Sequence, residues 1–440
     1  MSSILTNNGA MVALQTLKSI NKDLATTQSQ ISTGKAVGSA KDNSAIWAIS
    51  KVMESDVQGF KAISSSLSLG ESTVSVARQA SETVSDLLVQ MKDRIVAAQE
   101  SNVDREKLQT DIEALRDQIT SVVGAAQFNG LNLLSNAETT SAYTAAGNVD
   151  DSGITKVLSS LDRSATGVAS SDISVAKQDL GTTAGTKGTL ALAAAAMTAA
   201  GTAGASGAGT ATYTINGEST TAGRTKTVMA GDSYGFNMQI FDAAVSGTPF
   251  ATAAGVDATK GEALYVAKDG DTTSDIASGL ADIMNFRLAE QGLSDDFTVT
   301  VSGNVVSVVN NTTTALAASA AANIDLDAGG SVSGGLQLLS ELDATTDDGA
   351  AAALTAIESL IATSIDSAAS FGSAQGRIET QSEFVSNLTD ALKSGIGTLV
   401  DANMEEASAR LQALQVQQQL GVQSLSIANQ APQTILSLFR

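Results

Sequence analysis

The sequence contains no cysteine and no histidine among its 440 residues, and only two prolines and one tryptophan. Without cysteine or histidine the chain has no disulfide framework, no thiol nucleophile, no imidazole base and no Cys or His metal site. Aromatic residues make up 3% of the chain, too few for the aromatic walls of most ligand pockets. Most familiar catalytic sites are therefore excluded. A Ser/Lys or paired-carboxylate site and an oxygen-ligated calcium or magnesium site stay open.

Positive charge is also scarce, since the chain has 25 Lys and Arg but 46 Asp and Glu, which gives a formal net charge of −21. Nucleic acids and anionic membranes attract basic proteins, so the composition argues against both as partners. The first forty residues escape this excess, because Lys18, Lys22 and Lys35 are accompanied there only by Asp23. No run approaches eighteen apolar residues and no apolar core follows a basic start, so neither membrane insertion nor a cleaved signal peptide is expected.

Both ends of the chain carry the apolar spacing of a long helix. Apolar or amide side chains recur every three or four residues from Ala10 to Ile31 and from Ala407 to Leu425. Such a helix needs a partner in water, so the two ends are predicted to pair as a coiled coil and to bury their remaining surface against neighbouring copies. These positions form the assembly seam: Leu14, Leu17, Asn21, Leu24, Gln28, Ile31, Leu411, Leu414, Gln418 and Leu425. Gly34 is expected to end the first helix, and Pro432 to kink or end the last.

Inside these ends, the pattern predicts a second helical layer. A short helix is expected after Ser44, and a long heptad stripe, interrupted by Gly70 and Ser81, follows it. A polar turn at Ser101 leads into another helix that stops at Gly124, which predicts an antiparallel helix hairpin. The outer helical core comprises Leu67, Val74, Val84, Leu88, Met91, Ile95, Leu108, Ile112, Leu115 and Ile119.

The middle of the chain has a different character. Gly, Ala, Thr and Ser dominate residues 137–211, and the Ala run within 187–210 fits either a helix or a flexible excursion. Alternating segments at Gly235–Phe241, Phe297–Val301 and Val305–Val309 predict strands, with a helix at Ser274–Gln291 between them. The fold expected is mainly α at both termini, with long coiled-coil-like helices and an inserted, β-rich α+β middle.

Five segments follow from this pattern. They are an N-terminal inner helix with its connector (1–44), the N-terminal part of an outer helical domain (45–136), an inserted and exposed region (137–350) with its strand-rich unit at 211–311, the C-terminal part of the outer domain (351–400) and a C-terminal inner helix (401–440). The helical ends mirror each other around the insert.

Four stretches resemble signatures of bacterial flagellin and occur in that family's order. They are Ile31–Ser50 (ISTGKAVGSAKDNSAIWAIS), Val122–Leu134 (VVGAAQFNGLNLL), Phe371–Ile378 (FGSAQGRI) and Gln417–Arg440 (QQQLGVQSLSIANQAPQTILSLFR). The resemblance covers Met1–Ser135 and Leu354–Arg440. It implies a helical filament for swimming motility, with the terminal helices as an inner tube, longer helices as an outer shell and the insert facing solvent.

The same resemblance implies partners and a location. The partners are other copies of the chain, related flagellins, the flagellar type III export apparatus with an export chaperone, and junction and cap proteins. The location is the extracellular filament. Neither a cofactor nor a catalytic residue is implied.

Some flagellins are also recognised by an innate immune receptor through the outer helices. Aligned from Gln127, the family's receptor-contacting arginine, leucine and glutamate fall on Gln90, Arg94 and Asp111. Two of the three differ in kind, since Arg94 places a charge where an apolar contact is expected. Weak or absent receptor activation is therefore expected, and these residues are otherwise assembly surface.

The alternative functions are a junction protein of the same family or a separate functional module in the insert. A hook-filament junction protein of the same family shares the terminal helices. An enzyme in the insert, such as the zinc protease that some flagellins carry, would need a His-Glu-x-x-His motif that this chain lacks. The insert could instead bind calcium through the acidic pairs Asp150-Asp151, Asp295-Asp296 and Asp347-Asp348, or act as a glycosylated or adhesive surface.

Overall fold

A computed structural model describes most of the chain. The described residues are 7–135, 153–164, 167–188, 190–191, 197–200, 209–216, 228, 230–241, 245, 261–268, 270–313, 324–328 and 330–438. The chain divides into two compact units. Unit 1 comprises Met1–Ser65, Ser160–Ser170 and Ser382–Arg440, and unit 2 comprises Ser66–Ser159 and Ser171–Gln381. The divisions fall inside two long helices and two strands, whereas the helical segments expected from the sequence divide at residues 44/45 and 400/401.

Six helices and twelve strands make up the described architecture. The helices are α1 (Asn8–Thr33), α2 (Ser44–Ala98), α3 (Arg105–Ala125), α4 (Thr273–Glu290), α5 (Asp347–Val400) and α6 (Met404–Leu438). The strands are β1 (Gln127–Phe128), β2 (Leu131–Asn132), β3 (Ile154–Ser164), β4 (Gly167–Ala176), β5 (Leu190–Ala191), β6 (Met197–Ala200), β7 (Gly209–Ile215), β8 (Ser233–Asn237), β9 (Glu262–Val266), β10 (Phe297–Ser302), β11 (Val305–Asn310) and β12 (Ile324–Ala328). Mainly helical ends around a strand-rich middle confirm the predicted fold class.

The helix ends follow the local sequence signals with two exceptions. Gly34 ends α1 with a left-handed φ of 72°, and the Asn43 side chain accepts from the first amides of α2. The short helix expected after Ser44 is wrong as a separate element, because α2 continues for 55 residues. Residues 61–66, which connect the expected short helix to the heptad stripe, contain neither Pro nor Gly and include the buried Ile63. Pro432 does not end α6, which continues to Leu438.

The outer helical core lies in unit 2. All six of its α2 positions, from Leu67 to Ile95, have exposed fractions of 1% or less, and Ile112 and Ile119 of α3 are also buried. Leu108 and Leu115 are half-buried. The two residues that interrupt the stripe, Gly70 and Ser81, contact other elements. A Cβ on Gly70 would lie 2.6 Å from Val157 of β3, and the Ser81 carbonyl accepts a hydrogen bond from Ser364 of α5 at 3.0 Å.

Among the described residues, the insert contains two four-stranded antiparallel sheets, one α-helix and a separate two-stranded sheet of β3 and β4. One four-stranded sheet has the order β10-β11-β7-β6 and the other β5-β12-β8-β9, with α4 against β9 and β10. Four aromatic rings form the core between them, with centroid separations of 5.0 Å for Tyr213 and Phe236 and 4.6 Å for Phe241 and Phe297. The predicted helix and the β10–β11 hairpin are present.

Other parts of the insert differ from the sequence expectations. Within the Ala-rich stretch 187–210 the described residues include β5, β6 and the start of β7, so neither a helix nor a flexible excursion is found there, and residues 189, 192–196 and 201–208 lie outside the described part of the chain. Strands β3, β4 and β12 also lie outside 211–311. The strand expected to reach Phe241 ends at Asn237, and a 3-10 turn begins at Met238. Asn237 Oδ1 accepts a hydrogen bond from the Gln239 amide at 2.9 Å, which favours this turn over a longer strand.

Three backbone segments join the insert to the helices of unit 2, and we call them the neck: residues 133–134, 178–183 and 334–336. The Gln178 and Leu180 amides donate to the carbonyls of Leu133 and Leu134 at 2.9 and 3.0 Å. The Gly334, Gly335 and Leu336 amides donate to the carbonyls of Thr183, Asp179 and Gly181. A Cβ on Gly334 would lie 2.0 Å from the Gly181 carbonyl oxygen, so glycine is required where these backbones meet.

Two valines on α2 test the outer core. Val84→Ala removes two buried methyl groups and should lower the free energy of unfolding of unit 2 by about 2 kcal/mol. Val89→Ala is the matched control, because Val89 is 46% exposed and the change in helix propensity is identical. Urea denaturation followed by circular dichroism measures both. Equal effects would contradict the burial of Val84.

Candidate functional site

The terminal helices α1 and α6 lie antiparallel against each other in unit 1. Their less exposed positions repeat every seven residues, as in a coiled coil. On α6 they are Ala407, Leu411, Leu414, Gln418, Gly421, Leu425 and Ala428. On α1 they include Ala10, Ala13, Leu17, Ile20, Leu24, Thr27 and Ile31.

Specific contacts set the register of this pair. Gln418 Nε2 donates to Asn21 Oδ1 at 2.7 Å, and Asn7 Nδ2 donates to the Ala428 carbonyl at 2.8 Å. A Cβ on Gly421 would lie 3.2 Å from Leu17 Cδ1, so the absence of a side chain lets the two helices approach closely. Polar groups at the margin of an apolar face fix one alignment out of several.

The structure brings seven of the ten assembly-seam positions into or beside this contact: Leu17, Leu24, Ile31, Leu411, Leu414, Gln418 and Leu425. Leu14, Asn21 and Gln28 are exposed in the single chain, although Asn21 reaches Gln418. On the face of α1 that meets α6, the positions one residue earlier, Ala13, Ile20 and Thr27, are found instead. The side chains of Ala13 and Thr27 are small, so the sequence did not indicate that they lie on this face.

The connectors between the inner and outer helices are also paired. The Ala36 amide donates to the Val400 carbonyl at 2.7 Å, and the Ala402 amide donates to the Gly34 carbonyl at 2.9 Å. Lys35 and Asp401 form an antiparallel bridge at the same place. The ends of the chain are therefore joined by backbone hydrogen bonds as well as by side-chain packing.

Much apolar surface in unit 1 is left uncovered within the described part of the chain. Of the 17 large hydrophobic residues recorded as exposed in the described structure, 12 belong to this unit. They are Met11, Val12, Leu14, Ile49, Val52, Phe384, Leu399, Met404, Val416, Leu420, Val422 and Ile427. An exposed concentration of this kind marks a protein–protein contact.

Charge divides between the units in the same way. Unit 1 holds 10 basic and 10 acidic residues and is formally neutral, whereas unit 2 holds 15 basic and 36 acidic residues and carries the whole net charge of −21. A neutral apolar surface can pack against copies of itself with little repulsion, while the acidic unit keeps its hydration.

The three positions aligned with the immune-receptor contacts come together on unit 2. Gln90, Arg94 and Asp111 line a shallow groove between α2 and α3 that Leu115 also borders. Arg94 Nε lies 3.6 Å from Asp111 Oδ2, and both side chains are more than half exposed. The groove therefore presents an ion pair rather than an apolar surface.

A polar cavity of about 560 Å³ lies in unit 2 and is lined by Asp271 and Asp282. Burial raises the pKa of Asp271, which accepts from the Tyr265 hydroxyl, and of Asp282, which accepts from the Ser359 hydroxyl. Both carboxylates therefore already accept a hydrogen bond from a hydroxyl group of the protein. Among the described residues, no three acidic side chains are grouped so that they could hold a metal ion.

The acidic pairs singled out in the sequence lie apart from that cavity. Asn311 donates to the Asp295 carbonyl in the turn before β10, and Asp347 and Asp348 occupy the first turn of α5, where carboxylates suit the helix dipole. Asp150 and Asp151 lie outside the described residues. None of the helices in the described part of the chain is long and apolar enough to cross a membrane.

A substitution at Gly421 tests the close approach of α1 and α6. Gly421→Leu places a branched side chain against Leu17, so the helices must separate and trypsin should cleave faster at Lys18, Lys22 and Arg410. Gly376→Leu is the control, because Gly376 lies within α5 with nothing near its Cβ position. Limited proteolysis with mass spectrometry measures both, and unchanged cleavage in Gly421→Leu would contradict the tight contact.

Sequence comparisons identify the family. Residues 4–139 match the bacterial flagellin N-terminal helical region, and residues 354–439 match its C-terminal helical region. Flagellin A of Rhizobium meliloti is 36% identical over the full length of both chains.

Two solved structures cover much of the chain with low scores. FliC from Burkholderia pseudomallei is 15% identical and covers 70% of this chain and 99% of its own, with a TM-score of 0.30. The flagellar junction protein FlgL from Legionella pneumophila is 11% identical and covers 80% of this chain and 98% of its own, with a TM-score of 0.33. The two terminal matches and the full-length relative, taken with the paired helices α1 and α6, show that the chain belongs to the bacterial flagellin family.

Proposed function

We propose that this chain is a structural subunit that polymerises into the flagellar filament and serves swimming motility. The observation that carries the proposal is the uncovered apolar surface of a neutral unit whose terminal helices are paired. Met11, Val12, Val416, Leu420 and Ile427 are each more than half exposed in the single chain. Neighbouring copies that cover such side chains gain roughly 25 cal/mol for each Å² of apolar surface removed from water.

Helical symmetry fits a contact made in this way. A head-to-tail contact that does not close on itself generates an open helical polymer. The antiparallel pair α1–α6 offers apolar side chains on both helices, so one subunit can contact neighbours on more than one side. The exposed assembly-seam residues Leu14 and Gln28 are assigned to these contacts, whereas Asn21 bonds Gln418 within the chain.

The family supplies the remaining parts of the proposal. The chain is exported through the flagellar apparatus with a chaperone, and it meets junction proteins, a cap and related flagellins at the extracellular filament. Its outer helices carry the core, and the insert faces solvent. The absence of a long apolar helix in the described part of the chain is compatible with this route.

Two substitutions in α6 separate pairing within the chain from contact between copies. Leu414→Asp buries a charge against α1 and should prevent polymerisation by breaking the pair. Leu420→Asp places the charge on a residue that is 57% exposed, so it should prevent polymerisation while α1 and α6 stay paired. Sedimentation and electron microscopy of seeded reactions measure polymer, and the proteolysis assay above measures pairing.

Gln415→Asp is the control, because Gln415 is exposed and already polar. Normal filaments from Leu420→Asp would refute the assembly surface proposed for α6. A wild-type chain that adds to filament ends but stops after a short segment would support the junction-protein alternative.

The groove at Gln90 and Arg94 gives a prediction about immune recognition. Because Arg94 presents a charged side chain paired with Asp111, the purified monomer should activate the flagellin receptor weakly or not at all. A cell reporter assay measures the response against a strongly activating flagellin. Gln90→Arg combined with Arg94→Leu and Asp111→Glu should raise it, and full activation by the wild-type chain would contradict the prediction.

A further inference from the structure

The division of charge between the two units restricts how copies can be arranged. Unit 2 carries the full net charge of −21, so two such units placed face to face repel each other. A helical polymer nevertheless places many copies in contact. The repulsion is reduced if the acidic unit of one copy lies against a basic part of unit 1 in another copy.

A basic groove on unit 1 provides such a place. It has a volume of about 550 Å³, lies between α2 and α5, and is open to solvent. The groove is lined by Lys51, Glu54, Ser55, Val57, Gln58, Lys61, Lys393 and Ile396. Three of these residues are lysines and one is acidic, in a chain where acidic residues outnumber basic ones.

The acidic groups around the groove leave positive charge available. Lys51 Nζ lies 2.6 Å from Glu54, which also lies 3.9 Å from Lys35, and Lys393 Nζ lies 2.9 Å from Asp390. The side chains of Lys51 and Lys393 keep exposed fractions of 48% and 51%. Exposed ion pairs of this type are weak and exchange partners readily, so these lysines can turn to carboxylates of another chain.

We propose that the groove formed by Lys51, Lys61 and Lys393 docks the acidic surface of unit 2 from a second copy of this chain. The contact joins two different surfaces, which is the arrangement that produces an open helical polymer rather than a closed dimer. It guides incoming subunits by charge, while the apolar faces of α1 and α6 supply the main burial. The inference rests on the proposed function, since it describes one contact within the filament.

Zero-length cross-linking tests the contact in the full chain. Filaments are grown from an equal mixture of ¹⁴N- and ¹⁵N-labelled subunits and treated with a carbodiimide, which joins lysine amines to carboxylates in direct contact. Mass spectrometry should find mixed-isotope links from Lys51, Lys61 or Lys393 to Asp or Glu residues of unit 2. If these lysines form links only within one chain, or only to unit 1, the proposal is overturned. A wild-type chain that forms no filaments would instead contradict the proposed function.

Matched charge variants give a second readout. Lys51→Gln, Lys61→Gln and Lys393→Gln combined should raise the critical concentration for polymerisation about tenfold, because three exposed ion pairs are lost. Lys92→Gln, Lys107→Gln and Lys177→Gln combined remove the same charge from unit 2 and should have a smaller effect. Thermal unfolding checks that both variants fold. Equal shifts in the two variants, or no shift in the first, would overturn the proposal.

Discussion

The antiparallel contact between α1 and α6 is the interaction on which the rest of the assembly depends. It joins Asn7 to Ala428 and Asn21 to Gln418, residues almost at opposite ends of the chain. Neither helix can bury its apolar face alone, and together they still leave one side of each uncovered. In the proposed filament, the pair is a preformed part of a larger apolar core that other copies complete. The backbone bonds between the connectors at Gly34 and Ala402 hold this part in register with the outer helices.

The sequence predicted the helical layers well because their periodicity is a direct consequence of burial. The α2 stripe from Leu67 to Ile95 was read correctly, and so were the α4 helix and the β10–β11 hairpin. The sequence could not show why Gly70 and Ser81 interrupt that stripe. The reason is tertiary, since β3 and α5 approach there. Periodicity reports which face is buried but not what covers it.

Other features were missed for related reasons. On α1, Ala13 and Leu14 both fit a three-four spacing, and the larger side chain of Leu14 made it the predicted residue. In the structure, Ala13 lies on the face that meets α6 and Leu14 is exposed. Strands β5 and β6 lie in Ala- and Thr-rich sequence, where side chains carry little contrast between faces. The neck was also invisible, because it is made by backbone hydrogen bonds that join Gly334, Gly335 and Leu336 to Thr183, Asp179 and Gly181, and such bonds leave no pattern in hydropathy.

The neck has a consequence for the length of the insert. Residues 184–333 leave and return between backbone-bonded segments of the neck. The free energy of closing such a loop grows only with the logarithm of its length, so doubling a flexible loop costs about 0.6 kcal/mol. The entropy of this excursion is thus confined to its own closed loop. Chain length can be gained or lost there while the helices that polymerise keep their stability.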